Sequence, residues 1–249
     1  MVKRLGRVFR DMDELPHFIR SYRRFRRQQQ QSSVEFPFGE LWPCLDDRSD
    51  NAGSAKGHYF HQDLLVARRI FANAPRLHVD VGSRVDGFVA HVAAFREIEV
   101  LDVRPLTSHI PNVRFRQADM MASLDPALAG YCDSVSCLHA LEHFGLGRYG
   151  DAVDFEGHLK GLANLKAVLA PGGKLYLSVP IGPQRIEFNA HRVFAVATLL
   201  SLTRDMRVDA FSYVDDKGDL HENVVLAADA VANNFGCRYG CGILELTKL

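Results

Sequence analysis

The stretch LHVDVGSRVDGFVAHVAAF, residues 77–95, changes its periodicity halfway along. LHVDVG, residues 77–82, is a short apolar run that carries Asp80 and ends at Gly82, which predicts a strand. GFVAHVAAF, residues 87–95, has its apolar residues at helical spacing, which predicts a helix. A strand, a glycine-containing turn and a helix open a βαβ unit, so the rest of the chain is read for more of the same.

Outward from this stretch the alternation continues. A helix is predicted over 58–74, ahead of the first strand, with Phe60, Leu64, Leu65, Ala67, Ile70 and Phe71 at helical spacing. Further strands are predicted at 97–104 (EIEVLDVR), 113–120 (VRFRQADM), 132–140 (CDSVSCLHA) and 174–182 (KLYLSVPIG), with two more at 207–216 and 240–248. Helices are predicted over 155–170, closed by PGG, and over 192–203. Strands alternating with helices imply parallel crossovers and an α/β sheet covered on both faces, here a Rossmann-like, doubly wound, mostly parallel sheet of seven strands.

The N-terminal part reads differently, so a division into residues 1–57 and 58–249 is expected. Residues 12–31 predict an amphipathic helix with Leu15, Phe18, Ile19, Tyr22 and Phe25 on one face and arginines on the other. Residues 32–57 are rich in Pro, Ser, Asp and Gly and read as loop. Residues 1–30 hold nine Lys/Arg against three acids, a net of +6, in a chain of 249 residues whose formal charge is zero. Two readings stay open for this helix: peripheral contact with a membrane surface, or packing on the main domain with a solvated basic face. Outside residues 1–30 no basic, aromatic-interleaved groove is visible, so nucleic acid is not an expected partner. The five cysteines, odd in number and loosely spaced, suit a reducing, cytoplasmic setting; Cys237 and Cys241 read as incidental thiols near a hairpin rather than a metal pair. No apolar run approaches the ~18 residues of a membrane span. The start has no signal-like apolar core, and the oligomeric state is not legible.

Open α/β sheets bind ligands outside the carboxyl ends of their strands. The first strand ends in Asp80, Gly82, Ser83 and Arg84, the second in Asp102 and Val103, the third in Asp119 and Met120, and the fourth at Leu138. Asp102 falls 22 residues after Asp80, a spacing suited to pairing with ribose hydroxyls. Together with LAPGGKLYLSVP before the fifth strand, these features resemble the class I S-adenosylmethionine (SAM)-dependent methyltransferases over about residues 75–249. The resemblance implies that Gly82 and its neighbours approach the methionine part of SAM, that Asp102 holds the ribose and that Asp119 meets the adenine amine. Arg84 and Asp86 stand where that family has further glycines; the planar fork of Arg84 suits the carboxylate of SAM. DVGSRVDGF, LDVR and LHALEHFGLGRYGD together look like the uncharacterised domain of unknown function 268 family, which is grouped with methyltransferases.

The fourth strand runs into H-x-x-E-H: His139, Glu142 and His143. On a helix these positions share one face, and His191, after the fifth strand, is expected to join them. Three readings stay open. The first is general base catalysis, with His143 as the base, Glu142 orienting it and His139 touching SAM. The second is a divalent-metal site of His139, Glu142, His143 and His191, which is not expected to be filled. The third is a lining role. FGLGRYGD, with Arg148 and Tyr149, reads as a loop over the site, and HYFHQD (58–63) as a segment that closes the pocket. The expectation is a SAM-dependent O-methyltransferase acting on a hydroxyl of a sugar or glycan precursor, or another small molecule. The alternatives are a metal-assisted RNA-end 2′-O-methyltransferase and a non-catalytic scaffold.

Overall fold

The computed structural model describes residues 2–45 and 47–249, with side chains from residue 14 onward except residue 49. The side chains of Lys3, Arg4, Arg7, Arg10, Asp11 and Asp13, part of the basic N-terminal segment, lie outside the described residues. The chain divides into two compact units, Met1–Ser54 and Ala55–Leu249.

The first unit is a long helix, α1 (Val2–Gln30), and a coil with one short turn. The helix extends ten residues before the predicted start. Leu15, Ile19 and Phe25 of its apolar stripe are exposed. Phe38 from the coil meets Tyr22 and Phe25 edge-on at 5.8 and 6.0 Å, with the Arg26 guanidinium over its ring. No described helix is long and apolar enough to cross a membrane.

The second unit starts with α2 (His58–Asn73) and continues through β1 (His78–Val81), a π-turn (Val85–Val89) with α3 (Ala90–Ala93), β2 (Ile98–Asp102) and β3 (Val113–Gln117). Then come β4 (Cys132–Leu138), α4 (Gly157–Val168), β5 (Leu169–Ile181), a hairpin of β6 (Arg185–Glu187) with β7 (His191–Val193), and α5 (Val196–Leu202). The chain closes with β8 (Met206–Val214), β9 (Leu220–His221), α6 (Ala228–Ala232) and β10 (Gly240–Lys248). The sheet order is β3-β2-β1-β4-β5-β10-β8-β9; β10 is antiparallel to β5 and β8, while β1 to β5 pair in parallel.

Position in the sheet explains composition. All four residues of β1 are buried, as parallel strands covered on both faces require. β3, at the edge, keeps Arg114 and Arg116 exposed or paired, which blunts an unpaired strand. The α2–α3 side packs Leu65, Ile70, Phe88 and Val92 against one sheet face. The other face takes Leu162 and Leu165 of α4 and Leu199 of α5. His78, fully buried in β1, bonds Ser134 and Ser136 and is pushed down to about 3 by burial.

The structure corrects four sequence expectations. The sheet has eight strands rather than seven, because His221 and Leu220 pair with Tyr213 and Val214 at the edge. The fifth strand begins at Leu169, and PGG is a bulge within it: Cys132 pairs with Leu169, but Ser134 already pairs with Lys174. The helix expected over 192–203 begins at Val196, since His191–Val193 pair with Arg185–Glu187. The helix expected over 87–95 is a π-turn and one α-turn, kinked at Gly87; a Cβ there would meet the Asp63 carboxylate at 2.6 Å.

Candidate functional site

The sheet order reverses between β1 and β4, and the cavity lies at their carboxyl ends, as the rule for doubly wound sheets requires. It has a volume of about 350 Å³. Gly82, Arg84, Asp102, Val103, Asp119 and Met120 line it, as do His139 and His143. Asp80, Ser83 and Leu138, also expected at the cofactor, are buried behind it and tie the strand ends together. Asp80 accepts from the Ser83 amide (3.0 Å), the Ser83 hydroxyl (2.6 Å) and the Ser136 hydroxyl (2.5 Å). The Ser83 hydroxyl accepts in turn from the Leu138 amide. Burial pushes Asp80 up to about 6, against the pull of those donors. Gly82 has φ +72°, and a Cβ on it would sit 3.0 Å from that of Ala140, so glycine lets the two strand ends close together.

The acids of the cavity are partly engaged. Asp102 accepts three bonds from Arg104: its backbone amide at 2.8 Å, Nε at 3.0 Å and Nη2 at 2.7 Å. Two oxygens offer about four acceptor sites, so one direction stays open to a ligand hydroxyl. Asp119 accepts the Met121 amide through Oδ1. Arg84 does not reach into the cavity as a free cation: it is bidentate to Asp86 and lies 5.2 Å over the Tyr59 ring. Two residues apart in an exposed turn, the two charges pair with each other while Arg84 remains at the cavity lining.

The loop after β4 forms one wall. Asp151 accepts the amides of Gly145, Gly147 and Tyr149. Tyr149 faces the cavity with Arg104 at 4.5 Å over its ring and His143 edge-on at 5.4 Å. Gly145 has φ +77°, and a Cβ there would be 2.0 Å from the Asp154 carbonyl. Buried Arg192 donates to the Phe144 carbonyl at 2.6 Å and to the Phe155 carbonyl, bracing this wall from beneath.

H-x-x-E-H is not one helical face. His139 has φ +50°, a left-handed conformation costly for a residue with a Cβ, and only Leu141–His143 form a 3-10 turn. The His139 amide is held by Ser178, to its carbonyl (3.0 Å) and its hydroxyl (3.1 Å). The reversal sends the His139 ring back toward α2. Its Nδ1 bonds Glu142 Oε1 at 2.7 Å and its Nε2 meets His58 Nδ1 at 3.2 Å. Glu142 is buried, and its Oε2 has no hydrogen-bond partner. His143 donates from Nδ1 to the Ala190 carbonyl at 2.7 Å, which leaves the lone pair on Nε2, 3.7 Å from Glu142 Oε1. His191 is not part of this set: its Nε2 lies 3.1 Å from Glu187 and its ring 5.0 Å from Tyr239. The expected four-residue metal set therefore does not assemble. Among the described residues, the group whose ligand atoms lie within 4.8 Å of one another is His58, His139 and Cys241.

Charge divides the histidines. Burial opposes a proton on His139, but the Cys241 sulfur and the Glu142 carboxylate beside it outweigh that and raise its pKa well above the usual imidazole range. His58 is lowered to about 4 by burial and then by charged His139. Burial also lowers His143, so it is neutral at pH 7. The site can thus hold a ligand on two carboxylates, and it presents a neutral imidazole next to a buried acid.

Three features of the site have no local signal. By sequence pattern Cys241 is an incidental thiol beside Cys237, Arg192 falls in the helix expected over 192–203, and His58 belongs to the pocket-closing segment 58–63. Cys241 and His58 lie 102 and 81 residues from His139 along the chain, so no local spacing reveals them.

Residues 115–231 match the family described as "Caenorhabditis protein of unknown function, DUF268". No curated protein matches. Among solved structures, the 1,6-didemethyltoxoflavin-N1-methyltransferase of Burkholderia thailandensis, with S-adenosylhomocysteine bound, is 16% identical. The match covers 75% of this chain and 78% of that one, with a TM-score of 0.53. The N-methyltransferase NodS of Bradyrhizobium japonicum WM9, with S-adenosylhomocysteine, is 13% identical over 77% and 88% of the chains (TM-score 0.51). The [4+2]-cyclase SpnF is 17% identical over 76% and 80% (TM-score 0.53). These likenesses show the fold, and the cyclase among them shows why the fold does not by itself name the reaction.

Proposed function

We propose that this chain, which has the class I SAM-dependent methyltransferase fold, is itself a SAM-dependent methyltransferase and acts on a hydroxyl group with His143 as general base. The observation that carries the reading is a single cavity lined by Asp102, Asp119 and a neutral His143 whose free Nε2 lies beside the Glu142 carboxylate. The donor fits: Gly82 lines the cavity, Asp102 retains an acceptor site for a ribose hydroxyl, and Asp119 stands at the third strand end for an adenine amine. Bound there, SAM supplies an electrophilic methyl group on sulfonium sulfur. An amine acceptor would attack with its own lone pair, whereas a hydroxyl must lose a proton. His143 Nε2 takes that proton, and Glu142 at 3.7 Å stabilises the imidazolium that results. Ala190 fixes the ring tautomer through Nδ1. The finer reading, a hydroxyl on a sugar or glycan precursor, is supported by analogy with enzymes of surface polysaccharide assembly.

Calorimetric titration with S-adenosylhomocysteine and methyl-transfer assays with SAM against a panel of hydroxyl acceptors, on the wild type and on His143→Ala, test both parts. The expected result is binding by both proteins within about twofold, with kcat in the variant down by roughly 10²–10⁴. Wild-type turnover in His143→Ala would remove the base. Absence of binding by the wild type would remove the cofactor, and with it the enzyme. Because His143 is lowered below its ordinary 6.5, the acid limb of the kcat/KM profile is expected below that pH.

A further inference from the structure

We propose that His58, His139 and Cys241 form a zinc-type divalent-metal site at the inner edge of the cavity. The three come from separate elements: His58 is the first residue of α2, His139 follows β4, and Cys241 is the second residue of β10. Their ligand atoms nevertheless converge, all within 4.8 Å of one another. His58 Nδ1 and His139 Nε2 are 3.2 Å apart. Two imidazole nitrogens each ~2.0–2.1 Å from one tetrahedral ion would be separated by roughly 3.3 Å, so the pair is close to ligating geometry already. Two imidazoles and a thiolate are a donor set suited to Zn²⁺.

The surroundings are those of a metal ligand as well. The remaining nitrogen of His139, Nδ1, donates to Glu142 at 2.7 Å, the carboxylate–histidine support that orients a metal-bound ring and raises its basicity. Cys241 is fully buried on a sheet strand, with Gln62 Oε1 at 3.7 Å from its sulfur. His139 is held in its left-handed conformation by two bonds to Ser178, a strained backbone that aims the ring at His58. Three protein ligands leave a fourth position, and His139 and Tyr59, which bound the cluster, also line the cavity. That position is where a water or an acceptor oxygen would coordinate.

Metal binding releases the protons that the ligand atoms otherwise carry, including the one between the two imidazole nitrogens. The inference does not rest on methyl transfer, because metal uptake is read without donor or acceptor present. Purified full-length protein, stripped with a chelator, is titrated with Co²⁺ and then Zn²⁺. One Co²⁺ per chain is expected, with a thiolate-to-cobalt charge-transfer band and tetrahedral visible bands, all displaced by Zn²⁺. Cys241→Ser should remove the charge-transfer band, and Glu142→Gln should weaken binding by about 10–100-fold. Cys237→Ser, whose sulfur is not in the cluster, should change neither. Should Cys241→Ser fail to fold by circular dichroism, His58→Gln, at a half-buried helix start, carries the same test with binding lost. The proposal is overturned by a wild type that takes up no stoichiometric metal, by a band that survives in folded Cys241→Ser, or by binding that His58→Gln leaves unchanged.

Discussion

His78 and Asp80 sit two residues apart in β1, both fully buried, and burial has shifted them in opposite senses. A histidine lowered to about 3 contributes stability that is fully present above its unfolded pKa of ~6.5 and is lost as pH falls toward 3. An aspartate raised to about 6 contributes stability present below ~4 and lost as pH rises through 6. Between pH 4 and 6 the two slopes oppose each other. His78→Gln, which keeps a polar group for Ser134 and Ser136, removes one of them. Relative to the variant, the wild type is therefore expected to lose about 2 kcal/mol between pH 6.5 and 5, read from urea unfolding at the two values. Parallel curves would show that His78 is charged in the fold. At the same scale, His139 shows what one backbone conformation decides. Its residue type and spacing to Glu142 and His143 were visible, but φ +50° was not, and that angle aims its ring at His58 instead of at a shared helical face.

The elements explain how the cavity is walled. Asp151 gathers three amides of the loop after β4, and those bonds, rather than burial, hold Tyr149 in place. Asp151→Ala should therefore loosen the wall without unfolding the domain. Hydrogen exchange is expected to rise over residues 145–151, S-adenosylhomocysteine affinity to fall by about tenfold, and Tm to change by less than about 4 °C. Unchanged exchange in the loop would show that Arg192, from beneath, suffices. Gly145→Ala is the harsher change, since its new Cβ meets the Asp154 carbonyl and its φ is positive. The element sequence itself was largely legible, because strands buried on both faces are continuous apolar runs. The exceptions arose where pairing decides: the PGG bulge joined β5 through contacts with β4, and His191–Val193 became a strand through Arg185–Glu187. Neither partner is visible to a local pattern.

Across the whole molecule, all the residues of the cavity and of the histidine–cysteine cluster lie in the Ala55–Leu249 unit. A chain of residues 55–249 is expected to fold and to bind S-adenosylhomocysteine within about threefold of the full-length protein, by calorimetry on both. A loss beyond tenfold would place part of the ligand site in the first unit. Sequence alone determined the alternation of strands and helices, the parallel sheet that follows from it, and the acids at its strand ends, because periodicity and strand termini are local properties read within a few residues. The tertiary structure decided the rest. It bound Asp102 to Arg104 and Arg84 to Asp86, set His191 beside Glu187, and brought His58 and Cys241 to His139. The physical reason is that side-chain partners are set by strand order and helix docking, which join positions as much as 183 residues apart (His58 to Cys241), and no spacing along the chain encodes that approach.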